Sequence, residues 1–289
     1  MTAAVSYASG PSHKALLGMP IGTLFDDIVA RHGGREAVVS VHQGIRLSYQ
    51  DLAQRVNTLA RAFIVSGFSK GDRVGIWSPN NVEWLVTQYA TAKAGIILVT
   101  INPAYRLHEL AFVLEQSGCK GLVLQNRFKT SDYEALICEL CPQLQSCEPG
   151  QLRSEKFANL TTVISMTEST LPGITNWQDF LELAGQSTAA ELAQRQAEQD
   201  FDDAINIQYT SGTTGAPKGA LGTHRNLCTN IVSSAYNGAF AALRRGEEPP
   251  APVQKVGLTV IPLFHVTACS AGLMGYAVAG HTMIFMPKW

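Results

Sequence analysis

The stretch Tyr-Thr-Ser-Gly-Thr-Thr-Gly-Ala-Pro-Lys-Gly, residues 209–219, brings together three glycines, four Ser and Thr hydroxyls and one lysine. Glycines allow backbone N–H groups to approach a ligand closely, and successive N–H groups in such a loop form a concavity that binds anions. The hydroxyls add further hydrogen-bond donors, and Lys218 adds a mobile ammonium group. The composition of this stretch predicts a phosphate-binding loop.

The residues on either side predict a strand before the loop and a helix after it. Ile205 and Ile207 alternate with polar neighbours, as is typical of a half-buried strand. Thr223 stands where an N-cap residue is expected, and residues 220–243 are predicted to be mostly helical. The predicted order is therefore strand, phosphate loop and helix.

Two well-known phosphate loops do not fit this stretch. The Walker loop requires Gly-Lys-Ser/Thr at a fixed distance after its first glycine, but Pro217 follows Gly212 at that distance and Gly219 follows Lys218. The Gly-x-Gly-x-x-Gly fingerprint of dinucleotide-binding proteins does not occur in the sequence. A simple nucleoside-triphosphate hydrolase with a Walker loop is accordingly disfavoured.

Residues 209–219 resemble, almost letter for letter, the signature loop of the AMP-forming acyl-adenylate synthetases. This family includes acyl-CoA synthetases, luciferases and the adenylation domains of peptide synthetases. The order Asn80, Glu83, Gly95 and Asn102-Pro103 upstream is also similar to the family. The alternative is a Gly/Ser/Thr-rich surface turn. An eleven-residue match between a predicted strand and a predicted helix favours the family.

The resemblance extends downstream to Pro262-Leu263-Phe264-His265, which is similar to the family's second motif. In that motif the histidine lies beside the carboxylate and acyl pocket. The alternative for a single histidine in an apolar loop is a structural role. Its position after a predicted strand and downstream of the phosphate loop favours a substrate-side role for His265.

The resemblance implies an ATP-dependent activation of a carboxylic acid to acyl-AMP, followed by transfer of the acyl group to coenzyme A. Lys218 would neutralise the departing pyrophosphate, and His265 would shape the carboxylate site. ATP, Mg²⁺ and coenzyme A are the implied cofactors or co-substrates, and no metal ligand is identified in the sequence. The implied nucleotide-binding residues are Thr210, Ser211, Gly212, Thr213, Thr214, Gly215 and Lys218.

The substrate is predicted to be a fatty acid of medium or long chain length. Small residues follow His265 at Ala268, Ser270, Ala271, Gly272 and Gly275. Such residues either admit a neighbouring helix closely or leave room for an acyl chain. Both interpretations remain open from the sequence.

Alternating strand and helix patterns predict an α/β fold with doubly wound, mostly parallel sheets flanked by helices. Apolar segments at 73–77, 95–101 and 121–124 are typical of buried parallel strands. A second unit is predicted from a strand at 256–261, a helix at 267–279 and a strand at 283–286. Both candidate loops follow strand ends, where α/β sheets bind ligands.

We expect three parts in the chain. Residues 1–70 form an N-terminal segment that packs with a second subdomain, and residues 71–245 form an α/β subdomain carrying the phosphate loop. Residues 246–289 begin the second subdomain. The small C-terminal domain of the family, with its catalytic lysine, is not found in the sequence. We therefore expect a missing C-terminal half, and the alternative function is a non-catalytic nucleotide-binding remnant or interaction module.

Composition excludes several classes of partner. The 289 residues carry a formal net charge of −1 and a pI near 6.7, so no basic surface for nucleic acid is expected. The longest apolar run, residues 268–279, is too short to span a membrane, and the N-terminus does not resemble a signal peptide. Six cysteines without a disulfide-type spacing indicate a reducing, cytoplasmic location, and Cys138-x-x-Cys141 lacks the second half of a zinc site.

Overall fold

The computed structural model describes residues 18–210, 217–248 and 253–287. Its strands, numbered in chain order, are β1 (Glu36–Ser40), β2 (Ile45–Ser48), β3 (Arg73–Trp77), β4 (Ile97–Ile101), β5 (Gly121–Leu124), β6 (Arg127–Phe128), β7 (Ser131–Asp132), β8 (Thr162–Ser165), β9 (Ile174–Asn176), β10 (Ala204–Thr210), β11 (Lys218–Thr223), β12 (Val256–Thr259) and β13 (Thr282–Phe285).

Its α-helices are α1 (Ile21–His32), α2 (Tyr49–Val65), α3 (Val82–Ala94), α4 (Leu107–Ser117), α5 (Tyr133–Leu140), α6 (Trp177–Glu182), α7 (Ala189–Ala197), α8 (His224–Arg244) and α9 (Leu273–Val278). Short 3₁₀ turns lie at Val41–Gln43, Pro142–Gln145 and Leu183–Gln186, and a π-helical turn lies at Thr267–Gly272.

The larger sheet of the described chain has seven strands in the order β11-β10-β4-β3-β5-β8-β9. All neighbours from β10 to β9 are parallel, and only the edge strand β11 is antiparallel. The central strands are buried on both faces, as Val74 and Ile76 illustrate, because helices cover both sides of a parallel sheet. The predicted α/β fold class is confirmed.

The second sheet joins strands from opposite ends of the chain. Its order is β12-β13-β1-β2, with β13 parallel to β1 and Val38 opposite Met283. β1 and β2 form a hairpin in which Gly44 has a φ of 67°, a left-handed conformation that favours glycine. The predicted division of the chain near residues 70 and 245 stays a prediction.

Helix α3 is the most enclosed helix that the structure describes. Every residue of α3 except Glu83 is buried, and the helix packs against α1, α2 and α7. Asn81 caps its N-terminus by accepting a hydrogen bond from the Trp84 backbone N–H at 2.7 Å. A helix that is apolar around most of its circumference is expected in a core rather than at a surface.

The predicted helix at 220–243 is wrong in its first turn. Lys218–Thr223 instead forms β11, which pairs with β10 from Thr210 opposite Lys218 to Ala204 opposite Thr223. Pairing with β10 satisfies the backbone of this glycine-containing segment, which has a low helix propensity. The predicted N-cap is confirmed, since the Thr223 side chain accepts from Asn226 N and α8 begins at His224.

Two predicted boundaries in the second unit also differ from the structure. β12 ends at Thr259 rather than at residue 261, because the chain turns before Pro262, which lacks a backbone donor for a sheet ladder. The predicted helix at 267–279 is divided into the π-helical turn Thr267–Gly272 and the short helix α9.

The structure also shows the state of the cysteines and of the apolar segments that the sequence analysis considered. All six cysteines are free, and no group of three or more His, Cys, Asp or Glu side chains suited to a metal occurs among the described residues. Within the same residues, no helix combines the length and hydropathy needed to cross a bilayer.

His224 links the beginning of α8 to the beginning of α1. Its ring is only 2% exposed, and Nδ1 accepts a hydrogen bond from the Ile21 backbone N–H at 3.0 Å. Burial lowers the pKa of His224 to about 4, against the opposing effect of Asp203 and with a smaller contribution from Lys70. The imidazole is therefore neutral in the folded protein at neutral pH.

We predict that His224 makes the folded state acid-sensitive between pH 6.5 and pH 4. In this range the unfolded chain binds a proton at this residue and the folded chain does not, so the free energy of unfolding falls as the pH falls. The loss approaches about 3 kcal/mol, because each pKa unit corresponds to about 1.4 kcal/mol. Urea unfolding of His224→Asn should show a shallower slope with pH than the wild type. The exposed His108→Asn variant is the control, and equal slopes in all three proteins would contradict the prediction.

Candidate nucleotide and carboxylate site

The two ends of the predicted phosphate loop lie side by side in the larger sheet. Thr210 ends β10 and pairs with Lys218, the first residue of β11, and both side chains are exposed. Five of the predicted nucleotide-binding residues lie outside the described part of the chain, namely Ser211, Gly212, Thr213, Thr214 and Gly215. The described ends place the loop at the carboxyl end of β10, next to the carboxyl end of β4.

The second predicted motif follows β12 and leads into the π-helical turn. Leu263 is buried, whereas His265 is exposed. The backbone N–H of Thr267 donates to His265 Nδ1 at 3.3 Å. Because Nδ1 accepts this bond, the neutral ring carries its proton on Nε2, which is then available as a donor. A donor of this kind can bind a carboxylate oxygen.

Asn80 fastens the second motif to the larger sheet. This residue follows β3 and is 5% exposed. Its Oδ1 accepts from Leu263 N at 2.7 Å, and its Nδ2 donates to the Ile261 carbonyl at 3.1 Å. The sequence offers Asn80 only as a position similar to the family, and its partners could not be identified without the fold.

One cleft lies between the hairpin of β10 and β11, the first turns of α8 and the segment after His265. Its volume is about 470 Å³. The polar residues that line it are Asn206, Gln208, Asn226, Asn230, Thr267 and Ser270, and its apolar wall includes Leu221 and Val266. Of the small residues after His265, Ser270 faces this cleft, whereas Ala268 is 2% exposed and packs in the core.

A second cleft of about 340 Å³ lies where strands of both sheets end. Its walls come from residues 79–80 after β3, 102–104 after β4, and Pro262 and Phe264 after β12. Lys129 adds a positive charge from the tight turn between β6 and β7, where its φ of 53° is uncommon for a residue other than glycine. No sequence motif indicated Lys129.

A larger cleft of about 670 Å³ lies elsewhere, between α1, α2, α3 and α7. It contains the ion pair between Lys93 Nζ and Asp26 Oδ1 at 2.6 Å. None of the predicted site residues lines it, so its size alone does not make it the candidate site.

We predict that Asn80→Asp destabilises the fold and does so more strongly at pH 8 than at pH 5. The introduced carboxyl group still accepts from Leu263 N, but its second oxygen faces the Ile261 carbonyl, which is also an acceptor. A protonated carboxyl could donate to that carbonyl, so the loss grows as the pH rises above the usual carboxyl pKa. We expect a loss of about 1–3 kcal/mol at pH 8, measured by urea unfolding.

The exposed Asn159→Asp variant is the control for this substitution. An Asn80→Asp protein that matches this control at both pH values would show that the Asn80 bridge contributes nothing to stability.

Comparison with known proteins agrees with the family resemblance of residues 209–219. The sequence profile of the AMP-binding enzyme family matches residues 25–289. The medium-chain acyl-CoA ligase ACSF2 of Rattus norvegicus, a mitochondrial protein, is 38% identical over 282 residues, which are 97% of this chain and 44% of the relative. The human ACSF2 is 39% identical over 283 residues, with the same coverage. The chain thus spans less than half the length of these relatives.

Solved structures show the same fold. A fatty acyl CoA synthetase of Mycobacterium tuberculosis aligns with a TM-score of 0.70 at 24% identity, over 93% of this chain and 45% of that chain. An inhibitor-bound N-terminal domain of FACL13 from the same organism aligns with a TM-score of 0.67 at 25% identity, over 94% of this chain and 58% of that chain. With the profile match over most of its length, the chain belongs to the AMP-binding enzyme family.

Proposed function

We propose that the chain is the nucleotide- and acid-binding portion of an AMP-forming acid–thiol ligase, an acyl-CoA synthetase. The observation that carries the proposal is the family's phosphate loop at residues 209–219, whose described ends lie at the carboxyl end of β10. The names of the ACSF2 relatives support the reaction class.

In the first step, a carboxylate oxygen of the acid attacks the α-phosphorus of ATP. The bond from that phosphorus to the bridging oxygen breaks, and pyrophosphate leaves with the electron pair. Charge builds on the phosphate oxygens, so donors placed in advance lower the barrier. In our proposal the hydroxyls of Thr210, Ser211, Thr213 and Thr214, with the N–H groups of Gly212 and Gly215, bind these oxygens, and the Lys218 ammonium neutralises pyrophosphate.

His265 is proposed to hold the acid for that attack. Its Nε2–H is the free donor of the neutral ring, since Nδ1 is engaged by Thr267 N. We propose a fatty acid of medium chain length, in line with the name of the ACSF2 relatives. The cleft of about 470 Å³ that begins beside this segment is a suitable place for the acyl chain.

In the second step, the sulfur of coenzyme A attacks the acyl carbonyl carbon as the thiol releases its proton to water, and AMP leaves with the electrons of the acyl–phosphate bond. The cleft of about 340 Å³ at the strand ends is the proposed approach for coenzyme A. Lys129, exposed at its rim, would attract the phosphates of that molecule.

Mg²⁺ is proposed to accompany the ATP phosphates, whose charge it would partly neutralise. The described residues contain no cluster of acidic or histidine side chains that could hold the ion, so we assign no ligands and no step to it. A reducing location is supported by the six free cysteines. Cytoplasmic placement stays a prediction, because the names of the ACSF2 relatives place those proteins in mitochondria.

We predict that Lys218→Ala lowers the rate of pyrophosphate release at saturating ATP by about 100-fold or more, the usual effect of removing one donor at a developing charge. Binding of the acid should change little, because the charge that Lys218 neutralises appears only as pyrophosphate leaves. The measurements are pyrophosphate release and isothermal titration of the acid. Lys255→Ala is the control, since Lys255 is exposed and follows no predicted motif.

An unchanged rate in Lys218→Ala would remove this residue from the mechanism. A wild-type chain that binds ATP but releases no pyrophosphate with any acid would instead favour the alternative, a nucleotide-binding module without turnover. Titration with ATP distinguishes these outcomes.

A further inference from the structure

Three buried polar side chains connect the two parts of the candidate site. Gln88 of α3, Asn206 of β10 and Cys269 of the π-helical turn are each at most 1% exposed. Gln88 and Asn206 exchange two amide hydrogen bonds, at 3.4 and 3.2 Å. The Cys269 thiol donates to Gln88 Oε1 at 3.4 Å and accepts from Asn206 Nδ2 at 3.7 Å. We refer to these three residues as the amide–thiol cluster.

The cluster lies within four residues of each predicted motif along the chain. Asn206 precedes Thr210 by four residues on the same strand. Cys269 follows His265 by four residues, and its backbone N–H donates to the His265 carbonyl at 2.9 Å. Hydrogen bonds therefore run from the strand of the phosphate loop, through Asn206 and Cys269, to the backbone of His265.

The three side chains of the cluster are polar and buried, so each needs hydrogen-bond partners. Apolar side chains of the same size would need none. Burial raises the pKa of the Cys269 thiol to about 12, so the thiol remains protonated and can donate. If the π-helical turn shifted relative to β10, the amides would lose their partners inside the core, whereas apolar side chains would tolerate the shift. The cluster thus specifies one relative position of the two segments.

The backbone conformation around Cys269 also supports a functional role for this segment. Cys269 lies within a π-helical turn, a conformation that is rare and is frequent at functional sites. Gln208, two residues after Asn206 on β10, also lies beside Cys269, and its side-chain hydrogen bond lowers the pKa of the thiol against the larger effect of burial. Polar groups of β10 therefore converge on this turn.

We propose that the amide–thiol cluster positions His265 relative to the phosphate loop, with Asn206 and Cys269 acting as positioning residues for acyl-adenylate formation. This inference rests on the proposed function. The attacking carboxylate and the α-phosphate are held by different segments of the chain, and the rate depends steeply on their separation. The cluster is a direct side-chain connection between β10 and the π-helical turn.

Three variants separate positioning from packing. Cys269→Val removes the thiol donor and acceptor at similar volume, and Cys269→Ser restores both. Cys228→Val is the matched control, because Cys228 is 0% exposed in the same core and its thiol donates to the Met19 carbonyl at 3.7 Å rather than to the amide–thiol cluster. If Cys269→Val does not fold, Cys269→Ala removes the same groups with less bulk.

The first measurement is the ¹⁵N NMR signal of the His265 ring in the purified 289-residue chain, assigned with His265→Gln. We expect the wild type to show the proton on Nε2. Cys269→Val should shift the signals toward a mixture of tautomers, because the bond from Thr267 N depends on the turn that Cys269 anchors. Cys269→Ser and Cys228→Val should leave the signals in place. Unmoved signals in Cys269→Val would overturn the proposal.

The second measurement is pyrophosphate release with ATP and a medium-chain acid. We expect Cys269→Val to lower kcat at least tenfold while KM for ATP stays within twofold, and Cys269→Ser to recover most of kcat. An equal fall in Cys228→Val would reduce the cluster to ordinary packing. If the wild type releases no pyrophosphate with any acid, the proposed function fails, whereas the NMR signals still decide whether the cluster positions His265.

Discussion

The burial of helix α3 is the constraint on which the candidate site depends. A buried polar group is costly unless it is hydrogen-bonded, and nearly every residue of this helix is buried. Thr87 and Thr91 donate to carbonyls of the preceding turn, and Lys93 pairs with Asp26 of α1. The side-chain amide of Gln88, which is also buried in this helix, has its hydrogen-bond partners outside the helix. The indole N–H of Trp84 is the exception, since it has no partner among the described residues.

Because its polar groups need partners outside the helix, α3 forms hydrogen bonds with two segments that are distant from each other in sequence. Just before its N-terminus, Asn80 holds the backbone at Ile261 and Leu263. Two turns later, Gln88 holds Asn206 and Cys269. The strand that leads to the phosphate loop and the segment that carries His265 are therefore both fixed to one rigid element. Loops at the ends of different sheets can form a single site only if their separation is fixed in this way.

Local features of this fold could be predicted from the sequence, and pairings between distant residues could not. Thr223 caps α8 and Ser48 caps α2 as a capping box, because a cap involves residues only two or three positions apart. The strand at Lys218–Thr223 was missed because its state comes from pairing with β10 rather than from its own glycine-containing sequence.

The same distinction applies to the candidate site. Lys218 and His265 could be identified from motifs, but nothing in the sequence places Asn80 beside Leu263, 183 residues away, or Gln88 beside Cys269, 181 residues away. Lys218 and His265 are exposed, whereas Asn80, Gln88 and Cys269 are buried. An ammonium group in open water gains only about 1 kcal/mol from a phosphate charge at 4 Å, and about four times as much where the effective dielectric constant is near 20. In the proposed mechanism, Lys218 therefore stabilises a departing pyrophosphate strongly only when a ligand or a protein cover excludes water, and the buried framework must keep the donors in place until then.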